Sequence, residues 1–100
     1  MAKPKEIIKT EIKDYMGKCD GSYSDWYDGI ASDPRQRLFN DHNVDERNGY
    51  WIFRECESSS VAREIEEYFM NTLGTDGGSG GGDYTSRHVY AYKKTSSTTE

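Results

Sequence analysis

The chain is poor in the residues that usually build a core. Leu, Ile, Val and Phe together number only 14 of 100, a level that accompanies disorder when net charge is high. Here the net charge is only -5, and thirteen aromatics, eight of them Tyr, supply large buried area per residue. A large core is excluded and one small folded domain is expected. Cysteine is scarce too. Cys19 and Cys56 form no C-x-x-C spacing, are too few for a disulfide framework and lack the histidine pattern of a zinc site. No apolar run approaches the roughly 18 residues of a membrane-spanning helix. MAKPKEIIKTEIK also lacks the continuous apolar stretch of a secretory signal, so no membrane association and a cytoplasmic location are expected. Basic residues are outnumbered, 13 against 18 acidic, which argues against broad electrostatic binding to nucleic acid. Six arginines between Arg35 and Arg87 leave room for a small basic site.

What is present falls into a regular succession. In KPKEIIKTEIKDYM, Ile7, Ile8, Ile12, Tyr15 and Met16 share one arc at helical spacing, with Lys9 and Lys13 opposite. Glu11 falls inside that arc and is expected at its rim, reaching water or pairing with a lysine. Gly17 closes the helix, and KCDGSYSD is loop by composition. WYDGIA alternates as a strand, with Tyr27, Gly29 and Ala31 on one face and Trp26, Asp28 and Ile30 on the other. Asp33 is a natural N-cap and Pro34 a natural first residue of a helix that turns Leu38 and Phe39 inward. After the polar turn VDERNG, YWIFREC sets four bulky apolar residues in succession, the pattern of a strand buried on both faces, so Tyr50–Cys56 is expected at the centre of the sheet. ESSS supplies an N-cap for VAREIEEYFMNTL, which Gly74 closes. Residues 75–83 form a Gly-rich flexible loop, RHVYAYKK a last strand, and residues 95–100 a disordered tail. The expected fold is α/β (α+β): a single domain over residues 1–94 with a small three-stranded mixed sheet flanked by three helices, in the order α-β-α-β-α-β.

Three segments carry a resemblance. The Tyr27-Asp28-Gly29 strand, the stretch Ser32–Leu38 and the helix Val61–Phe69 resemble the GIY-YIG nuclease superfamily. That family has a Tyr-x-Gly strand, an arginine eight residues beyond the glycine, and a glutamate in a later helix of pattern A-x-x-x-E-x-x-L-I. Arg37 and Glu66 hold those two positions, and Phe69 stands near the apolar pair. The family's first tripeptide is missing, and Asp28 stands where it has an apolar residue. Val89–Tyr92 would replace the missing strand by pairing beside Tyr27 from the other end of the chain, with Tyr90 and Tyr92 on one face. The resemblance implies a divalent-metal-dependent phosphodiesterase or endonuclease acting on nucleic acid, with Mg²⁺ or Mn²⁺ held by Glu66.

The residue types suit that chemistry on physical grounds. A guanidinium fork stabilises charge on phosphorane oxygens without ever deprotonating. One carboxylate plus waters suits Mg²⁺, and a tyrosine or histidine beside the attacking water can orient it or take its proton. Tyr27, Arg37, His42 and Glu66 are therefore the candidate catalytic residues, expected around one pocket that Gly29 leaves open for a phosphate. On a helical wheel Glu66 falls at the edge of the core arc, where a carboxylate is partly desolvated. Plainer roles exist for each: an ion pair of Arg37 with Asp41, packing for Tyr27, a helix-end position for His42 and a bridge from Glu66 to Arg63. Asp76 and Asp83 flank the glycine run, but no Lys-Ser/Thr follows, so a linker is favoured over a phosphate loop. The alternative function is a catalytically inactive relative serving as a protein-interaction or binding module, for which Tyr-rich surfaces are suited.

Overall fold

A computed structural model describes residues 2–19, 21–77 and 85–99. It shows a small α+β unit of three helices and a four-stranded mixed sheet. Helix α1 spans Lys5–Lys18 and buries Ile8, Ile12 and Met16 at four-residue spacing, while Ile7 stays 48% exposed. The buried stripe is therefore narrower than the sequence arc. Glu11 pairs with both Lys3 and Arg54, each at 2.7 Å. Strand β1, Trp26–Ala31, leads into α2, Pro34–Gln36. Asp33 caps α2 by accepting from the Gln36 amide at 3.2 Å, and Pro34 occupies its first turn. The helix runs on through a widened turn, Arg37–Asp41, that closes with His42 N–H donating to the Arg37 carbonyl at 2.8 Å. Wide turns of this kind often re-aim side chains at functional positions.

Strand β2 spans Trp51–Glu55, and α3 begins at Ser59, with Ser58 accepting from the Val61 amide at 3.2 Å. Helix α3 covers Ser59–Glu67 and continues as wide turns over Tyr68–Leu73 until Gly74 ends it at φ 89°. That conformation favours glycine. Two short pieces complete the sheet: β3, Asp76–Gly77, and β4, His88–Lys93. The strand order is β2-β4-β1-β3. Strand β4 runs antiparallel to both neighbours, aligning Tyr92 with Tyr27 and Trp51, and Tyr90 with Gly29 and Phe53. Strand β3 is parallel to β1.

Four expectations are corrected. The sheet has four strands rather than three, and its centre is β4 rather than Tyr50–Cys56. Val89, Ala91 and Tyr92 are fully buried and Tyr90 nearly so, whereas Tyr50 is 49% exposed and Trp51 and Phe53 are half-buried. The polar tips of two tyrosines disguised an interior strand, while the apolar run of β2 serves an edge. That edge is blunted: Trp51 N–H donates to the Tyr15 hydroxyl, Arg54 to the Phe53 carbonyl and Lys3 N–H to the Glu55 carbonyl. Filled edge groups discourage pairing with another strand. The Gly-rich loop begins later than expected, because Asp76 and Gly77 pair with β1 and Thr75 is buried; residues 78–83 of it lie outside the described residues. Residues 95–99 do not form a free tail. They turn back on the body, with Thr99 N–H donating to the His42 carbonyl at 2.7 Å and the Asn43 amide to the Ser97 carbonyl at 2.9 Å.

The sheet divides two cores. Helices α1 and α3 pack on the face carrying Trp26, Ile30, Ile52, Val89 and Ala91. Leu38 and Val44 cover Ala31, Tyr90 and Tyr92 on the other. Each fully buried aliphatic contributes about 1.5–3 kcal/mol. Among the described residues no helix is long and apolar enough to cross a membrane.

Candidate functional site

The second face gathers most of the residues singled out from the sequence. Period-two alternation turns Tyr27, Gly29 and Ala31 of β1 the same way as Tyr90 and Tyr92 of β4. The Tyr27 ring stacks on Tyr92 at 5.3 Å between centroids and lies 4.7 Å from the His42 ring. The pairing of Val89–Tyr92 beside Tyr27 is thus present. The space above Gly29, however, does not await a phosphate. A Cβ there would come within 2.6 Å of the Tyr90 phenol ring and hydroxyl, so Gly29 is what lets Tyr90 cross the strand.

His42 is the hub. Its Nδ1 lies 2.8 Å from the Thr99 carbonyl and 3.1 Å from the Tyr92 hydroxyl, and its Nε2 lies 2.7 Å from the Tyr90 hydroxyl. A carbonyl only accepts, so Nδ1 carries the proton. Burial, helped by the Arg37 guanidinium, holds the His42 pKa below its ordinary value, so the ring is neutral near pH 7 and Nε2 accepts from Tyr90. Burial also raises the Tyr90 pKa, against the opposing pull of the nearby Arg37 guanidinium. One phenol is therefore polarised from both sides, by a base and by a cation.

Arg37 is half-exposed and faces a cleft of about 290 Å³ lined by Ala31, Ser32, Asp33, Gln36 and Asp41. Asp41 pairs with Arg37 at 3.5 Å, the bond anticipated from their spacing. Being exposed, it contributes under about 1 kcal/mol and exchanges readily for another anion. The arrangement can hold an anionic group against Arg37 and move a proton between Tyr90 Oη and His42 Nε2.

Glu66 is elsewhere. Helix α3 carries it on the opposite face of the sheet, only 4% exposed, near Asp28. The side chains of Tyr27 and Asp28 leave β1 on opposite faces, so Glu66 does not close the pocket of Tyr27 and Arg37. Both Asp28 oxygens and Glu66 Oε2 are buried without a proper hydrogen bond. Burial raises the Glu66 pKa to about 7 and, with the Glu66 charge, raises that of Asp28 well above its ordinary value. Burial thus favours the protonated form of both groups. The donor set beside Arg37 does not fit Mg²⁺ or Mn²⁺ either: Asp33 is committed to its cap and Asp41 to Arg37. Among the described residues no three His, Cys, Asp or Glu are placed to hold a metal ion.

Three of the four candidates, Tyr27, Arg37 and His42, thus meet, and Glu66 does not. Sequence reasoning missed Thr99, whose backbone fixes the histidine tautomer; no side-chain pattern announces a carbonyl. No family model matches the chain, and no curated protein or solved structure matches it.

Proposed function

We propose that the chain is a GIY-YIG-like domain that binds the phosphodiester backbone of nucleic acid through Arg37 and the Tyr27–His42–Tyr90 cluster. The observation that carries this reading is the Arg37 guanidinium, held at the mouth of a polar cleft beside a hydroxyl that is itself anchored to a neutral histidine. A guanidinium recognises phosphate oxygens by paired donors. The chain's net charge of -5 confines binding to this site, so few phosphates are engaged and the salt dependence is shallow.

A second reading, hydrolysis of the bound phosphodiester, is supported by the Tyr90–His42 pair. In it the attacking water gives its proton to Tyr90 Oη as that hydroxyl passes its own to His42 Nε2, and Arg37 stabilises the charge that develops. Binding is tested by anisotropy of a labelled oligonucleotide with the full chain. Arg37→Ala should weaken it about tenfold or more, and His42→Ala less. Equal affinity for wild type and Arg37→Ala overturns the site. Product formation with added Mg²⁺ or Mn²⁺ that survives Glu66→Gln separates the second reading from a metal-dependent nuclease using that carboxylate.

A further inference from the structure

Along the edge of the same sheet face lies a second surface built from different parts. Trp51 and Phe53, two residues apart on β2, present near-parallel rings with centroids 6.0 Å apart and an interplanar angle of 11°. Phe39 abuts the indole edge-on at 4.9 Å, and the indole N–H donates to the Glu46 carbonyl at 3.1 Å. These contacts fix the tryptophan in place, so a ligand need not order it. The Arg35 guanidinium lies 5.7–5.9 Å from the ring centroids of Phe39, Trp51 and Phe53. The groove beside them, about 340 Å³, is lined by Tyr15, Arg35, Trp51, Ile52, Phe53 and Arg54.

We propose that this groove takes an unstacked base of a single-stranded nucleic acid, against the Trp51–Phe53 rings and beside the Arg35 guanidinium. The chemistry of the lining selects that occupant: three aromatic rings, two arginines and no carboxylate, on a chain that is acidic overall. An anion that also carries flat π faces is complementary to that combination. The two guanidiniums are paired with Glu46 at 3.0 Å and Glu11 at 2.7 Å. The first of these pairs is exposed, so phosphate can replace its carboxylate at little cost. The inference rests on the phosphodiester reading of Arg37. The register sets Trp51 beside Tyr92 and Tyr92 beside Tyr27, so the Trp51–Phe53 rings at the β2 edge lie on the same sheet face as Tyr27, two strands or about 10 Å from it. A segment of a few nucleotides spans both. Duplex DNA, whose bases are stacked on each other, offers nothing to the groove.

The test compares an oligothymidylate, an abasic phosphodiester oligomer of equal length and a duplex, each labelled and titrated with the full chain. The oligothymidylate should bind about tenfold or more tighter than the other two. Trp51→Ala should remove most of that margin and leave abasic binding unchanged, as loss of one base stack does, whereas Arg35→Ala should lower the margin and also weaken abasic binding by the one phosphate contact it loses. Arg35 is exposed, so its variant reports on the groove even if Trp51→Ala unfolds. Equal binding of the abasic oligomer and the oligothymidylate overturns the groove while the phosphodiester reading stands. No binding of any of the three overturns both. Trp51-dependent capture of a proline-rich peptide, without any preference for the oligothymidylate, assigns the groove to peptides instead.

Discussion

Replacing Glu66 by glutamine changes one proton and almost nothing else, which makes it the sharpest probe of the buried acid pair. Glu66 sits 4% exposed between α3 and the sheet; Arg63 and Glu67 act on it from its own helix, and its charge acts on Asp28 in β1. Its pKa is 4.5 in a free chain and about 7 when folded. Below the lower value the group is protonated in both states and has no effect. Between the two the unfolded chain sheds the proton while the folded chain keeps it, so stability falls as pH rises. Above about 7 the loss levels off at no more than roughly 3 kcal/mol, since each pKa unit is worth 1.36 kcal/mol. The glutamine of Glu66→Gln cannot ionise, and its side-chain amide can donate to Asp28. Urea unfolding at pH 5 and pH 8 measures the difference: the variant's advantage should grow by about 2–3 kcal/mol between the two. His42 and the surface carboxylates titrate alike in both proteins and cancel. Parallel losses for the two proteins would refute the reasoning and place Glu66 in water.

Two further outcomes follow from the second face. Gly29→Ala drives a methyl to 2.6 Å from the Tyr90 ring and should cost about 1–3 kcal/mol, read from the urea midpoint; an unchanged midpoint would mean that Tyr90 does not cross the strand there. Truncation after Lys94 removes the Thr99 carbonyl, so nitrogen chemical shifts of His42 should move from a single Nδ1–H form to a mixture of tautomers, while a silent spectrum would show that Tyr92 alone sets the tautomer.

The local signals were legible where one short-range cause governs. Asp33 with Pro34, Ser58 and Gly74 mark helix ends by hydrogen bonds made within four residues or by a backbone angle. Alternation in WYDGIA gave the correct faces, and with them the meeting of Tyr27 and the β4 tyrosines. Arg37 and His42 reach the same face only because the wide turn of α2 carries them there. The centre of the sheet was not legible, because the sequence pattern counts apolar letters while burial depends on which strand has neighbours on both sides. The helical wheel placed Glu66 correctly at the core side of its helix, but not on the sheet face it meets. A wheel locates a face, and the identity of what packs on that face, here the strand carrying Asp28, comes from the tertiary structure.

The position of β4 has a consequence for synthesis. It is the last of the described strands along the chain, yet β1 and β2 are not hydrogen-bonded to each other and each hydrogen-bonds to β4. Until residues 88–93 emerge, β2 has no strand partner and β1 has only the two residues of β3. The nascent chain can wind its helices, but Trp26, Ile30 and Ile52 have no sheet on which to assemble. Folding is then a late, nearly all-or-none event dominated by long-range pairing, which places it among the slower small domains. A chain interrupted before His88 would therefore carry neither the cleft beside Arg37 nor a core. It would be recognised by proteases as an unfolded polypeptide rather than persist as a weakened domain.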